Sequence, residues 1–143
     1  KTLDALAPIP GQMLRDIGAG CGSISIEWMR THPRCWAIAI EKNYSRLNYI
    51  ADNAASLGTP NLRIIHGEAP GILKGLEPPD AIFIGGGATV EEMFDVCWQA
   101  LRKGGRLVAN AVTVESEQKL LEWHNRFGGS LTRIAILRVE SVG

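Results

Sequence analysis

The chain has 143 residues, enough for one domain to bury a core without disulfides or a structural metal. Fifteen Lys plus Arg balance fifteen Asp plus Glu, which removes the broad positive field that non-specific nucleic-acid binding uses. No apolar run reaches the roughly 20 residues of a membrane span and no secretory pattern opens the sequence, so a cytoplasmic setting is expected, with no nucleic acid and no membrane as partner.

Taken in chain order, two periods alternate. Segment 13–18 (MLRDIG) is a short apolar run closed by glycine, and 35–41, 62–66, 80–84 and 106–114 share its length and its Ile/Val content. That is the pattern of strands buried on both faces of a parallel sheet. A helix is expected over 23–32, stopped before Pro33. The next spans 43–57, with Asn43 as N-cap, Leu47, Ile50, Ala51, Ala54 and Leu57 on one face, and Gly58 as the stop. Thr89 and Glu92 form a capping-box pattern ahead of Met93, Val96, Cys97, Ala100 and Leu101 at helical spacing. A last helix over 115–127 ends at Gly128-Gly129, and 131–140 reads as a sixth strand. The alternation specifies an α/β fold with a doubly wound, mostly parallel sheet and one domain over 1–143. Cys21, Cys35 and Cys97 lack CxxC or Cys/His spacing, so free thiols and no metal site are expected.

In such a sheet the ligand sits past the carboxyl ends of the strands, where strand order reverses. Here that place is DIGAGCGS, residues 16–23. Gly18, Gly20 and Gly22 let the chain turn sharply and leave main-chain N–H groups open to a ligand, and the helix starting near Ser23 points its N-terminus at the same spot. Dinucleotide loops follow G-x-G-x-x-G, whereas the third glycine here comes one residue earlier. Glu41 ends the second strand about 20 residues further on, where a carboxylate can accept from both hydroxyls of a ribose. Nicotinamide enzymes place an acid there as well. HGEAP, residues 66–70, follows the third strand.

G-x-G-x-G preceded by Asp16 resembles the first motif of Rossmann-like class I S-adenosylmethionine-dependent methyltransferases. The resemblance implies that Gly18, Ala19, Gly20, Cys21 and Gly22 lie against the methionine part of S-adenosyl-L-methionine, that Glu41 takes the ribose, and that Glu68 and Ala69 meet the adenine. Gly85 completes the expected cofactor set. The segments DIGAGCGSISIEWMR (16–30), DAIFIGGG (80–87) and GGRLVANAVTVESE (104–117) are similar, more narrowly, to the carbon-15 methylating, decarboxylating domain of precorrin-6Y methyltransferases.

That family implies methyl transfer to carbon 15 of a tetrapyrrole (precorrin) with loss of carbon dioxide from the carbon-12 acetate, in cobalamin biosynthesis. It also implies that the chain is the C-terminal module of a longer protein, fused to or partnered with a carbon-5 methyltransferase domain, and that it forms a homo-oligomer, with a tetramer as one form. Relatives extend further at both ends, so a gap or unpaired edge is expected between 106–114 and 131–140. On the substrate side the candidates are Gly85, Gly86 and Gly87, which would let a flat macrocycle approach backbone, with Asn110, Thr113 and Glu115 as polar contacts. Arg46, Arg102, Arg106 and Arg133 are candidate partners for substrate carboxylates. Each has a plainer role open to it: the glycines can simply turn the chain, Thr113 or Glu115 can cap a helix, and the arginines can be solvated. His66 is expected as a hydrogen-bonded structural side chain, and Trp28 as a core residue within reach of the cofactor side.

The runner-up is a class I methyltransferase acting on RNA or a small metabolite. Enzymes that methylate exocyclic amines of bases carry [DN]-P-P-[YF] after the fourth strand; this chain has Ile84-Gly85-Gly86-Gly87 there. A nicotinamide oxidoreductase and a non-catalytic assembly module are the alternatives from other classes.

Overall fold

The computed structural model describes residues 2–110 and 113–127. Within them, strands β1 (Met13–Ile17), β2 (Trp36–Glu41), β3 (Arg63–His66), β4 (Ala81–Ile84) and β5 (Arg106–Ala109) form one sheet in the order β3-β2-β1-β4-β5. Every pairing is parallel. Helices α1 (Thr2–Leu6), α2 (Ser23–Arg30), α3 (Leu47–Ser56), α4 (Met93–Ala100) and α5 (Val114–Phe127) flank it. The order reverses between β1 and β4, which opens a crevice at their carboxyl ends.

Side-chain alternation along the strands builds two cores. Met13, Ile17, Ile38, Ile40, Ile82 and Ile84 face one way and pack with Phe94, Cys97, Leu120 and Trp123 of α4 and α5. There the rings of Phe94 and Trp123 stack with centroids 4.0 Å apart. Leu14, Ala37, Ala39, Ala81 and Phe83 face the other way, against Leu6, Ile26, Trp28, Ile50 and Ala54 of α1, α2 and α3. Alanine at three of those strand positions lets the helices settle close to the sheet. Trp28 is fully buried, and its Nε1–H donates to the carbonyls of Trp36 (3.0 Å) and Gln12 (3.4 Å). It is therefore a core residue, away from the carboxyl ends of the strands.

Arg15 shares the face of Met13 and Ile17 and is almost wholly buried, with its Nη2–H donating to the Glu77 carbonyl at 2.8 Å. Burial lowers its pKa from the ordinary value, with Cys97 and Glu77 working in the opposite sense. The bond ties the segment after β3 to the central strand.

Several expectations shift in position. The fifth strand ends at Ala109, so Thr113 belongs to a turn and Val114 to α5. The helix expected from Thr89 starts at Met93, and Glu92, at φ +67°, stands at its N-cap without a side-chain cap. Successive turns, Val90 N–H to Gly87 O and Met93 N–H to Val90 O, consume residues 87–92 at the end of β4 and displace the helix start. After Asn43 the chain makes a 3-10 turn over Tyr44–Arg46 before α3, and the Asn43 side chain accepts from Ser45 Oγ rather than from a backbone N–H. Helix α1 has no counterpart in the sequence reading, because five residues are too few to show a period. The expected sixth strand, the gap beside it and Arg133 lie outside the described residues.

Gly22 stands at the N-cap of α2 with φ +83°, and a Cβ there would lie 2.9 Å from Ile50 Cγ2. Strain and crowding add, so Gly22→Ala should lower the unfolding free energy by about 1–3 kcal/mol, measured by urea denaturation.

Candidate active site

Three loops meet in the crevice. The first, after β1, is bolted to β2: Gly18 N–H and Ala19 N–H both donate to the Ile40 carbonyl, at 2.9 and 3.1 Å. Glu41 completes the bolt. Its Oε1 accepts from Gly20 N–H and its Oε2 from Asn43 N–H, each at 2.9 Å, and the residue is only 3% exposed. Two of the roughly four acceptor positions of the carboxylate are thus used by backbone, which leaves two for a ligand. The Glu41 carbonyl also accepts from Gly67 N–H at 3.1 Å, drawing in the loop after β3.

The loop after β4 closes on the first. Gly85 N–H donates to the Ile17 carbonyl at 2.8 Å, and a Cβ on Gly18 would stand 2.7 Å from the Gly86 nitrogen. Gly18 is therefore required twice, for its φ of +71° and for this approach. The glycines after β4 turn the chain and also keep the crevice open.

The result is a cavity of about 210 Å³. Gly18, Glu41, Glu68, Ala69 and Gly85, all expected at the cofactor, line it. Ile17, Ile40, Val90 and Met93 give it apolar walls, and Lys42 and Arg46 bring positive charge to it. The loop's other residues serve in different ways. Gly20 and Cys21 line an outer groove of about 260 Å³ with Ser45, Arg46 and Tyr49. Ala19 packs toward the α2/α3 core, and Gly22 is buried under Ile50.

Of the residues expected to meet substrate, Thr113 has an Oγ1 that accepts the Ser116 N–H at 3.1 Å and pairs with Ser116 Oγ at 2.7 Å, which caps α5. Asn110 directly follows β5, its N–H donating to the Ile84 carbonyl at 3.0 Å, and its Oδ1 is buried without a partner among the described residues. Glu115 is exposed on α5. Arg102 pairs with Asp80 and Arg106 reaches the Ala7 carbonyl, both at the amino ends of the strands, so Arg46 is the one of these three arginines at the crevice. His66 is structural as expected, with Nε2 3.1 Å from the Lys42 carbonyl. Among the described residues no cluster of His, Cys, Asp and Glu could hold a metal, and all three cysteines are free.

Asp16 lies at the end of β1, under the glycine loop. Its Oδ2 accepts from Ser25 Oγ–H (2.6 Å) and Ser25 N–H (3.2 Å), while Oδ1 is buried without a partner. Burial pushes the carboxyl up to about 6; the Ser25 bonds oppose this and the neighbouring Glu41 charge adds to it.

This arrangement defines a class. A parallel sheet with a G-x-G-x-G turn, an acid ending the second strand and a third acidic loop beside them has the architecture of the Rossmann-like methyltransferases. At 24% identity and a TM-score of 0.65, covering 73% of this chain and 43% of the other, the fold is shared with an S-adenosylmethionine-dependent methyltransferase from Geobacter sulfurreducens, solved in complex with S-adenosyl-L-homocysteine. The family described as the precorrin methyltransferase domain matches residues 1–143, and the chain belongs to it. A Sinorhizobium protein called precorrin-6Y C(5,15)-methyltransferase [decarboxylating] is 51% identical over 142 residues, covering 99% of this chain and 34% of its own length. The crystal structure of the C-terminal domain of precorrin-6Y C5,15-methyltransferase from Rhodobacter capsulatus superposes with a TM-score of 0.82 at 45% identity, covering 99% of this chain and 76% of that one. The chain spans about a third of the length of the curated relatives it matches first.

Two measurements test the site's own chemistry. Because the folded state holds the Asp16 proton up to about 6, it binds more protons than the unfolded chain between the ordinary aspartate range and that pH. This group's contribution to stability is therefore present at low pH and lost as pH rises through about 6, a loss on the order of 2–3 kcal/mol. Asp16→Asn should flatten that part of the curve of unfolding free energy against pH; an unchanged slope would clear Asp16 of the effect. Glu41→Ala leaves the Gly20 and Asn43 N–H groups without their acceptor, so calorimetry should show a loss of about 1–3 kcal/mol in the absence of any ligand.

Proposed function

We propose that this chain is the C-terminal module of a longer, decarboxylating precorrin methyltransferase. In this reading it transfers a methyl group to carbon 15 of a tetrapyrrole and releases the carbon-12 acetate carboxyl as carbon dioxide. The observation that carries the reading is the convergence of Gly18, Glu41, Glu68-Ala69 and Gly85 on one cavity at the switch point of the sheet. The relatives' names supply the substrate.

The cavity fits S-adenosyl-L-methionine. Gly18 leaves a cradle that a Cβ would fill, Glu41 keeps two acceptor positions for ribose hydroxyls, and Glu68 with the Ala69 N–H stands where an adenine edge can be read. When bound, this group supplies an electrophilic methyl carbon beside a good leaving group. The protein's part is then alignment and exclusion of water. The rigid loop contacts supply the alignment, and Ile17, Ile40, Val90 and Met93 supply apolar walls.

Decarboxylation places its electron pair in the conjugated macrocycle, so the chain's task is to hold one acetate out of the ring plane. Gly85, Gly86 and Gly87 permit close approach of a flat ring to backbone. Asn110, with a buried Oδ1 awaiting a donor at the end of β5, is the polar group placed to orient it. Thr113, whose Oγ1 also caps α5, is the second candidate on that side. A carbon-5 methyltransferase domain elsewhere in the longer protein, assembly into a homo-oligomer and a cytoplasmic setting complete the proposal; among the described residues no helix is long and apolar enough to cross a membrane.

The test follows both products together. The protein is incubated with methyl-labelled S-adenosyl-L-methionine and a carbon-5-methylated precorrin, and label in the macrocycle is counted alongside released carbon dioxide. Both should appear in equal amounts; methylation without carbon dioxide release would overturn the decarboxylating reading. Asn110→Ala should lose most of the turnover while its affinity for S-adenosyl-L-homocysteine stays within about threefold, a difference of roughly 0.6 kcal/mol.

A further inference from the structure

The outer groove beside the glycine loop has no role in the site described so far. Gly20, Cys21, Ser45, Arg46 and Tyr49 line it, over about 260 Å³. Arg46 lines the inner cavity as well, so the two spaces share one cation at their common rim. The position of that cation is set by the fold: Arg46 ends the 3-10 turn that begins after Asn43, and Asn43 N–H is held by Glu41. Its Nη1 stands 4.0 Å from the place a Cβ on Gly20 would take, against the open face of the loop. Among the described residues no carboxylate or other acceptor engages the guanidinium. Tyr49 is 60% exposed at the groove and supplies an aromatic surface beside the charge.

A guanidinium left unpaired between two concave spaces, next to an exposed ring, suits an anionic group carried on a flat apolar body. Glu41, the buried acid of the cavity, offers the opposite charge, whereas Glu68, Lys42 and Arg46 stand exposed at its edge. Anionic arms of a ligand are therefore met by the cations at the edge. We propose that this groove is a carboxylate subsite for the tetrapyrrole, in which Arg46 pairs with a peripheral carboxylate of the macrocycle and Tyr49 carries the adjoining ring edge. The assignment rests on the tetrapyrrole reading given above and adds to it a residue that decides specificity for acidic side chains.

The probe is uroporphyrin, a flat octacarboxylate tetrapyrrole, with its octamethyl ester as the uncharged control. Wild-type protein should quench with uroporphyrin in a salt-sensitive way and bind the ester far more weakly. Arg46→Ala should weaken uroporphyrin about tenfold and Arg46→Lys should recover part of the loss, since one charge-assisted bond to the macrocycle is removed. Tyr49 lines the outer groove and not the cavity, so Tyr49→Ala should weaken uroporphyrin while the affinity for S-adenosyl-L-homocysteine stays within about twofold. Because Cys21 is exposed in the same groove, uroporphyrin should also slow its alkylation by iodoacetamide, and the ester should not. Unchanged uroporphyrin binding in Arg46→Ala, or a fall in S-adenosyl-L-homocysteine affinity of the same size in Tyr49→Ala, overturns the subsite and leaves the tetrapyrrole reading standing. A wild-type protein that ignores uroporphyrin while turning over a precorrin overturns the subsite as well, whereas one that does neither removes the tetrapyrrole reading itself.

Discussion

The Glu41 carboxylate is the constraint on which the rest of the site depends. It ends a buried strand, and its two oxygens hold the Gly20 and Asn43 N–H groups at 2.9 Å each. One side chain thus fixes the glycine loop on one side and the turn carrying Arg46 on the other. A carboxylate 3% exposed would be costly if unpaired; charge-assisted backbone bonds offset that cost and set the loop in place before any ligand arrives. The remaining acceptor positions then face the cavity without further adjustment. The same residue holds the loop and lines the cavity, so its removal changes both.

Around that bolt the glycines act by proximity as much as by flexibility. Gly18 and Gly86 bring the loops after β1 and β4 so close that a single added methyl group would stand 2.7 Å from a backbone nitrogen. Packing of loop on loop is what makes the crevice at the strand switch point narrow. Gly67, held by the Glu41 carbonyl, adds the third wall, and Arg15 anchors the following segment from below the sheet. The cavity is the consequence of main-chain contacts, and its lining side chains contribute shape and charge afterwards.

The strands, the glycine loop and the acid that lines the crevice were legible because their signals are local. Ile/Val runs of strand length, glycines at fixed offsets and an acid at a strand end each carry their meaning within a few residues. Expectation and structure separate where tertiary contacts decide. Thr89 and Glu92 have the spacing of a capping box, yet the turns demanded after β4 move the helix to Met93. Cys21 belongs to the glycine motif but, with Gly20, lines the outer groove rather than the cavity. Thr113 looks equally apt as ligand or cap in sequence, and the cap became visible only in the Ser116 geometry. The clamp made by Glu41, the approach of Gly86 and the placement of Arg46 are long-range facts with no one-dimensional signature.

Electrostatics links the two halves of the functional reading. The whole chain is neutral, so any attraction for a charged ligand is local. Asp16 and Glu41 are buried beneath the glycine loop, whereas Glu68, Lys42 and Arg46, which line the cavity with Glu41, are exposed. Both signs of charge therefore meet at its edge, where water screens them, and the buried charge inside is that of Glu41. That charge is already shared with the Gly20 and Asn43 N–H groups, so the same two bonds that fix the loop also moderate the field within the cavity.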